Sequence, residues 1–202
     1  MKEVDEELGV LAKLEYMSPT FVIQQRKQAI THFAWDPKRS DVIEMTPNRR
    51  GLFLKEEQYV FRSVIGDKCF FEGIHYWEII ADARTENELK IGVCKNKEFD
   101  LKTAFCDYSF GWAYYGNGQL RHCDGANGQM FSKTQFKKEG VLGVLLDMTK
   151  GTIALSLNET CLGVAFEDEE LKSGPIWPAV ALLHVAGCSL VTGKAAPACF
   201  FT

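Results

Sequence analysis

The sequence predicts an all-β protein, a two-sheet antiparallel β-sandwich led in by a short N-terminal helix. Three observations carry this. From about residue 33 onward, short apolar or alternating runs recur between turn residues, the pattern of half-buried strands. Helical periodicity is confined to the first ~17 residues. No helical stretch separates the strand-like runs, as the crossovers of a parallel sheet would require.

In chain order, Val4, Leu8, Leu11 and Leu14 recur at steps of four, three and three between charged residues, and Ser18-Pro19 closes this amphipathic helix. Residues 75–80 read as a half-buried strand with His75, Trp77 and Ile79 on one face. Residues 90–94 alternate similarly, with Gly92 at a bulge or a close backbone approach. The aromatic run Gly111-Trp112-Ala113-Tyr114-Tyr115 enters the turn Gly116-Asn117-Gly118, which reads as a hairpin with Trp112 and Tyr114 on its core face. A second loop is expected over residues 124–128. Residues 141–146 lack polar alternation and read as a central strand covered on both faces. Thr149-Lys150-Gly151 turns the chain into residues 152–157, with 153, 155 and 157 inward, and Asn158-Glu159 turns it again into residues 161–166. Strands at 179–183, after Trp177-Pro178, and at 188–191 close the series. Trp77, Trp112, Trp177 and Leu145 are expected in the core. The chain divides into a lead-in segment (1–32), one sandwich domain (33–195) and a tail (196–202).

Composition narrows the function. The 202 residues suffice for one self-supporting core. Lys and Arg number 23 against 27 Asp and Glu, a net charge of −4 with both signs scattered, so the basic footprint that a phosphate backbone demands is missing. No run approaches the ~18 apolar residues of a membrane helix. Neither nucleic acid nor membrane is expected as a partner. The seven cysteines are odd in number, widely spaced and without a C-x-x-C pair, as suits reduced thiols packed as small hydrophobes. With the acidic start Met1-Lys2-Glu3-Val4-Asp5-Glu6-Glu7, this predicts a cytoplasmic protein, the nucleus being the alternative. Asn158-Glu159-Thr160 is then a chance sequon.

Catalytic signatures are missing: there is no G-x-S-x-G elbow, P-loop or H-E-x-x-H. His122-Cys123-Asp124 holds three potential metal ligands, but strand neighbours point to opposite faces and cannot close on one ion. No local signature makes a nucleophile of a cysteine beside His32, His75, His122 or His184. No catalytic residue, metal or cofactor is expected. Residues 110–122 carry the richest chemistry. There Tyr115 lies on the face away from the core, and the loop residues Asn117, Gln119, Arg121 and His122 suit contact with a partner as well as they suit a plain hairpin.

Several blocks of the sequence occur together in one known family. Trp35-Asp36-Pro37, residues 42–46 and Arg49-Arg50-Gly51-Leu52 resemble the PRY segment. Phe71-Glu72-Gly73-Ile74-His75-Tyr76-Trp77-Glu78-Ile79 is similar to the F-x-S-G-x-H-Y-W-E-V block of SPRY domains, and Ile91-Gly92-Val93 to its L-G-V. Residues 144–153 match V-x-L-D-x-x-x-G-x-[VL], and residues 175–180 the late Pro-containing strand. Over about residues 33–193 the chain resembles a B30.2 (PRY–SPRY) domain. The resemblance implies a bent sandwich of concanavalin-like jelly-roll type with a lead-in helix. It also implies protein recognition through rim loops, commonly as the substrate-selecting part of a ubiquitin ligase, tripartite-motif ligases included. Gly111-Trp112, residues 120–125 and residues 162–166 look closest to the branch in F-box and SOCS-box proteins. The peptide-gripping positions of that branch fall near Arg62, Phe105 and His184. The chain departs from the pattern at Leu89, where many members have Trp, and in the shorter stretch 95–109. It carries no RING, B-box, F-box or SOCS box, so ligase subunits are expected as associated proteins.

The expected function is recognition of a partner peptide or loop by Arg62, Phe105, Tyr115, Asn117, Gln119, Arg121 and His184. The alternative is a lectin-like carbohydrate module. It rests on fold analogy, and no dense carboxylate loop for Ca²⁺ accompanies it.

Overall fold

The computed structural model describes residues 28, 30–55, 57–123 and 128–201. The helix expected over residues 4–14 and most of the loop expected over 124–128 lie outside them. Among the described residues, thirteen strands form two antiparallel sheets. They are β1 (Ile43–Met45), β2 (Gly51–Leu54), β3 (Arg62–Ile65), β4 (Ile74–Ala81), β5 (Leu89–Cys94), β6 (Gly111–Tyr115), β7 (Gln119–Arg121), β8 (Gln129–Met130), β9 (Val141–Asp147), β10 (Thr152–Leu157), β11 (Thr160–Glu167), β12 (Trp177–Leu182) and β13 (Gly187–Val191). One sheet has the order β1-β2-β13-β4-β9-β10-β11 and the other β3-β12-β5-β6-β7-β8. The only helical elements among the described residues are 3₁₀ turns at Phe105–Asp107, Glu169–Lys172 and Ala198–Phe201.

Alternation along the strands builds the core. Trp77 and Ile79 of β4, Leu142, Val144 and Leu146 of β9, and Ile153, Leu155 and Leu157 of β10 face Ile91 and Val93 of β5, Trp112 and Tyr114 of β6, and Val180 and Leu182 of β12. Each such side chain stabilises the fold by roughly 1.5–3 kcal/mol through burial. Trp35 joins them, fully buried. The meander β9–β10–β11 forms because its turns are chemically specified. Asp147 accepts from the Thr149 and Lys150 amides, Gly151 takes the φ of +72° there, and Asn158-Glu159 adopts two successive positive φ values, the geometry of a type I′ hairpin.

Both sheets are also covered on their outer faces. Segment 95–110 lies across the six-stranded sheet and buries Phe105 and Cys106 against Ile65, Cys94, Ala113, Ala179 and Ala181. For that reason β5 is buried at every position rather than at alternate ones. On the seven-stranded sheet, Phe200, Phe201 and Ala196 pack on Ile74, Tyr76, Leu145 and Ala154, which explains why β9 reads as covered on both faces. Gly92 marks a close approach and not a bulge. Its pairing with Ala113 is in register, and an added Cβ would lie 1.9 Å from the Trp112 carbonyl oxygen.

Two expectations are corrected. Trp177 is only partly buried, because it lies on the outer face beneath Lys97, whose Nζ is 5.9 Å from its ring centroid. The seven cysteines are not all reduced. Cys94, Cys106 and Cys188 are buried thiols and Cys69 and Cys123 are free, but Cys161 and Cys199 form a disulfide. The tail folds back over the sheet and brings the second cysteine to the edge strand β11, their Cα atoms 5.9 Å apart. A separation of 38 residues left no spacing motif to reveal the pair.

Candidate partner-binding rim

One end of the six-stranded sheet gathers most of the polar and aromatic residues singled out in the sequence. Antiparallel pairing puts the start of β3, the end of β12, the start of β5 and the end of β6 side by side. Ser63 pairs with Ala181, Ala181 with Lys90, and Lys90 with Tyr115. The next row runs from Gly92 to Ala113 to Arg121. Lys90, Tyr115 and Arg121 therefore share the outer face, at the point where segment 95–110 stops covering it.

A strip of rings follows that end. Tyr59 and Val60 are 75% and 41% exposed, and the Tyr59 ring stacks on His184 at 4.8 Å and 6°. His184 has a φ of +56° just beyond β12, and its Nδ1 lies 2.9 Å from the Glu57 carbonyl. A carbonyl only accepts, so Nδ1 carries the proton. Phe61 meets Tyr115 edge-on at 5.8 Å. Lys90 Nζ sits 4.1 Å from the Phe61 centroid and pairs with Asp107 at 3.0 Å. The Arg121 guanidinium lies 5.6 Å from the Tyr115 centroid. Burial, outweighing nearby Arg121, pushes the Tyr115 hydroxyl pKa up, so it stays protonated.

The loop between β6 and β7 is locked. Gln119 Oε1 accepts from Asn117 Nδ2 at 3.2 Å and from Arg121 Nη2 at 2.8 Å, while Asn117 Oδ1 accepts from the Gln119 amide. Gly118 has a φ of +96°, which the turn requires of it.

Tyr115, Asn117, Gln119 and His184 are half-buried at this end. Arg62 also lies there but is buried at the start of β3, within reach of the Phe61 and Lys102 carbonyls. Arg121 is buried beside Tyr115. Phe105 is a correction: it is fully buried, its ring packed on the outer face of the six-stranded sheet with Ile65, Ala113 and Ala179 and its amide donating to Ser63 Oγ, so it offers no surface to a partner. Tyr59, Val60, Phe61 and Lys90 escaped the sequence reading. The apolar run Tyr59-Val60-Phe61 outside the family blocks was the available signal.

A concavity of about 380 Å³ lies on the outer face of the seven-stranded sheet, lined by Tyr76, Glu78, Gly143 and Ser156 among others. Within it, Tyr76 Oη and Lys194 Nζ both donate to the Glu78 carboxylate at 2.8 and 2.7 Å. Among the described residues no cluster of His, Cys, Asp or Glu is arranged to hold a metal ion.

Two antiparallel sheets packed face to face define a β-sandwich of the jelly-roll class. The family model of the SPRY domain matches residues 74–195, and the chain belongs to that family of protein-interaction modules. Solved structures share the fold. The SPRY domain of human HERC1 aligns with a TM-score of 0.64 at 18% identity, over 81% of this chain and 100% of that one. The TRIM65 PSpry domain gives 0.61 at 17%, over 86% and 95%. Stonustoxin gives 0.59 at 18%, over 80% of this chain and 27% of its own.

Proposed function

We propose that this chain is a non-enzymatic recognition module that holds a peptide or surface loop of a partner protein along the strip from Tyr59 and His184 to Tyr115 and Arg121. The single observation behind this reading is the convergence of exposed or half-buried rings from separate segments on one sheet end. Monomers seldom leave such rings together unless they are used, and aromatic and Arg anchors dominate the energetics of protein interfaces. The resemblance to F-box and SOCS-box SPRY proteins extends the reading to substrate selection in a ubiquitin-ligase pathway, with transfer chemistry supplied by associated subunits. The five free cysteines are in keeping with a cytoplasmic setting. Partner capture by wild type, Tyr115→Ala and His184→Ala, with melting temperatures measured in parallel, tests it. Both variants should lose capture while staying folded. Unfolding of both, or undiminished capture, contradicts the reading.

The Glu78 cavity on the seven-stranded sheet is where the alternative reading, carbohydrate binding, would place its ligand. A glycan array with and without chelator tests that, and its hydrogen-bonded groups, already engaged with one another, argue for a blank array.

A further inference from the structure

We propose that the Cys161–Cys199 pair is a redox latch: reduction by a dithiol releases residues 197–201 from the outer face of the seven-stranded sheet and uncovers the apolar patch beneath them. The latch lies on the sheet opposite the rim and is independent of the peptide-recognition reading.

The tail is held in two parts of unequal strength. Up to Ala196 it is fixed by buried contacts. Ala196 is 2% exposed and its amide donates to Gln28 Oε1 at 2.8 Å, while Lys194 Nζ donates to Glu78 at 2.7 Å. Beyond Ala196 every described residue is partly buried or exposed. There the turn Ala198–Phe201 lays Phe200 and Phe201 on Ile74, Tyr76, Leu145 and Ala154, with the Phe200 and Tyr76 centroids 5.7 Å apart. A single helical turn does not hold itself in water. Burial of two half-covered rings is of the same order as the backbone entropy lost in ordering so short a segment. The covalent bond to the edge strand β11 therefore decides whether the segment stays docked.

The bond is placed for exchange. Cys161 and Cys199 are both partly exposed, and an accessible disulfide is open to attack by a thiolate. One sulfur of the dithiol attacks one sulfur of the pair, breaking the S–S bond and forming a mixed disulfide, and the second thiol of the reagent then displaces that cysteine. Two electrons pass to the protein, the two protons of the dithiol end on Cys161 and Cys199, and the reagent leaves as its own disulfide. Exchange with oxidised glutathione runs the step in reverse. Five cysteines stay free, so this one bond is a responsive link and not part of a disulfide framework. Its opening uncovers Tyr76 and Leu145, which are 1% and 5% exposed while the segment is docked, and takes Pro197 out of the wall of the Glu78 cavity.

The test compares the whole chain treated with oxidised glutathione and with dithiothreitol. After denaturation, iodoacetamide should add five labels to the first form and seven to the second, read by mass spectrometry. On reduction the methyl resonances of Ile74 and Leu145 should shift while those of Ile91 and Val93, between the sheets, stay in place. Chymotrypsin should cut after Phe200 at least about tenfold faster in the reduced form, because cleavage follows the population of the open segment. Cys161→Ser and Cys199→Ser should each show the reduced behaviour under both treatments. Seven labels in the oxidised form overturn the proposal, as do equal cleavage rates with unmoved Ile74 and Leu145 methyls. Shifts that reach Ile91 and Val93 also overturn it, since the bond would then hold the sandwich and not the tail.

Discussion

The imidazole of His184 lies flat on the ring of Tyr59, centroids 4.8 Å apart and planes 6° from parallel. The contact joins the segment before β3 to the segment after β12, and leaves Tyr59 three-quarters exposed. A ring held in place without being buried supplies contact area at little ordering cost. Tyr59→Ala should therefore weaken partner binding by about 30-fold, the loss of one interface anchor. It should shift the melting temperature by no more than about 1–2 °C. Calorimetric melting beside a binding titration reads both, and a large drop in melting temperature would place Tyr59 in the fold instead.

Phe105 should behave in the opposite manner. It anchors segment 95–110 to the outer face of the six-stranded sheet, so Phe105→Ala is expected to cost about 3–5 kcal/mol in urea unfolding. Trp77→Ala should cost a similar amount and Leu145→Ala about 2–5 kcal/mol. An unchanged urea midpoint for Phe105→Ala would mean that segment 95–110 does not cover the sheet.

Stability should fall as the pH drops below about 6.5 because of His75. Burial lowers its pKa, opposed in part by a hydrogen bond to the Glu72 carbonyl. Nε2 donates to that carbonyl at 2.8 Å, and Nδ1 is left to accept from Thr31 Oγ1 at 3.1 Å, so the neutral ring is the one the fold fits. The unfolded chain takes up a proton near pH 6.5 and the folded one only below it. The unfolded state thus binds more protons between those two values, and stability rises with pH across that window. Urea midpoints from pH 7.5 down to 5 should decline in wild type and lose that component of the decline in His75→Gln. The same slope in both proteins would assign the effect to other groups.

Thiol reactivity should sort by burial. Burial pushes the Cys94, Cys106 and Cys188 thiols up to about 12, and the thiolate is the reactive form. Iodoacetamide at pH 8 should label exposed Cys123 first and these three only on unfolding, as mass spectrometry of timed digests would show. Native labelling of Cys106 at the rate of Cys123 would contradict the packing of segment 95–110.

The strands that line the core were legible because their alternation is local. Trp112 and Tyr114 point inward beside half-buried Tyr115 as spacing alone requires, and the meander after residue 141 announces its turns. What covers the outer faces was illegible. Burial of Phe105 depends on a segment lying across strands far away in sequence, and the Cys161–Cys199 bond on a tail returning to an edge strand. The rim was half legible for the same reason. Tyr115, Asn117 and Gln119 sit on one hairpin, whereas Tyr59 meets His184 only because β3 and β12 are neighbours.

The most direct measurement of the central claim is the backbone amide chemical-shift map of the chain with a selected peptide bound. The account predicts that shifts concentrate at residues 57–61, 115–121 and 183–184, with those around Tyr76, Glu78 and Ser156 unmoved. Shifts centred on the Glu78 cavity, with the Tyr59–His184 end silent, would contradict it.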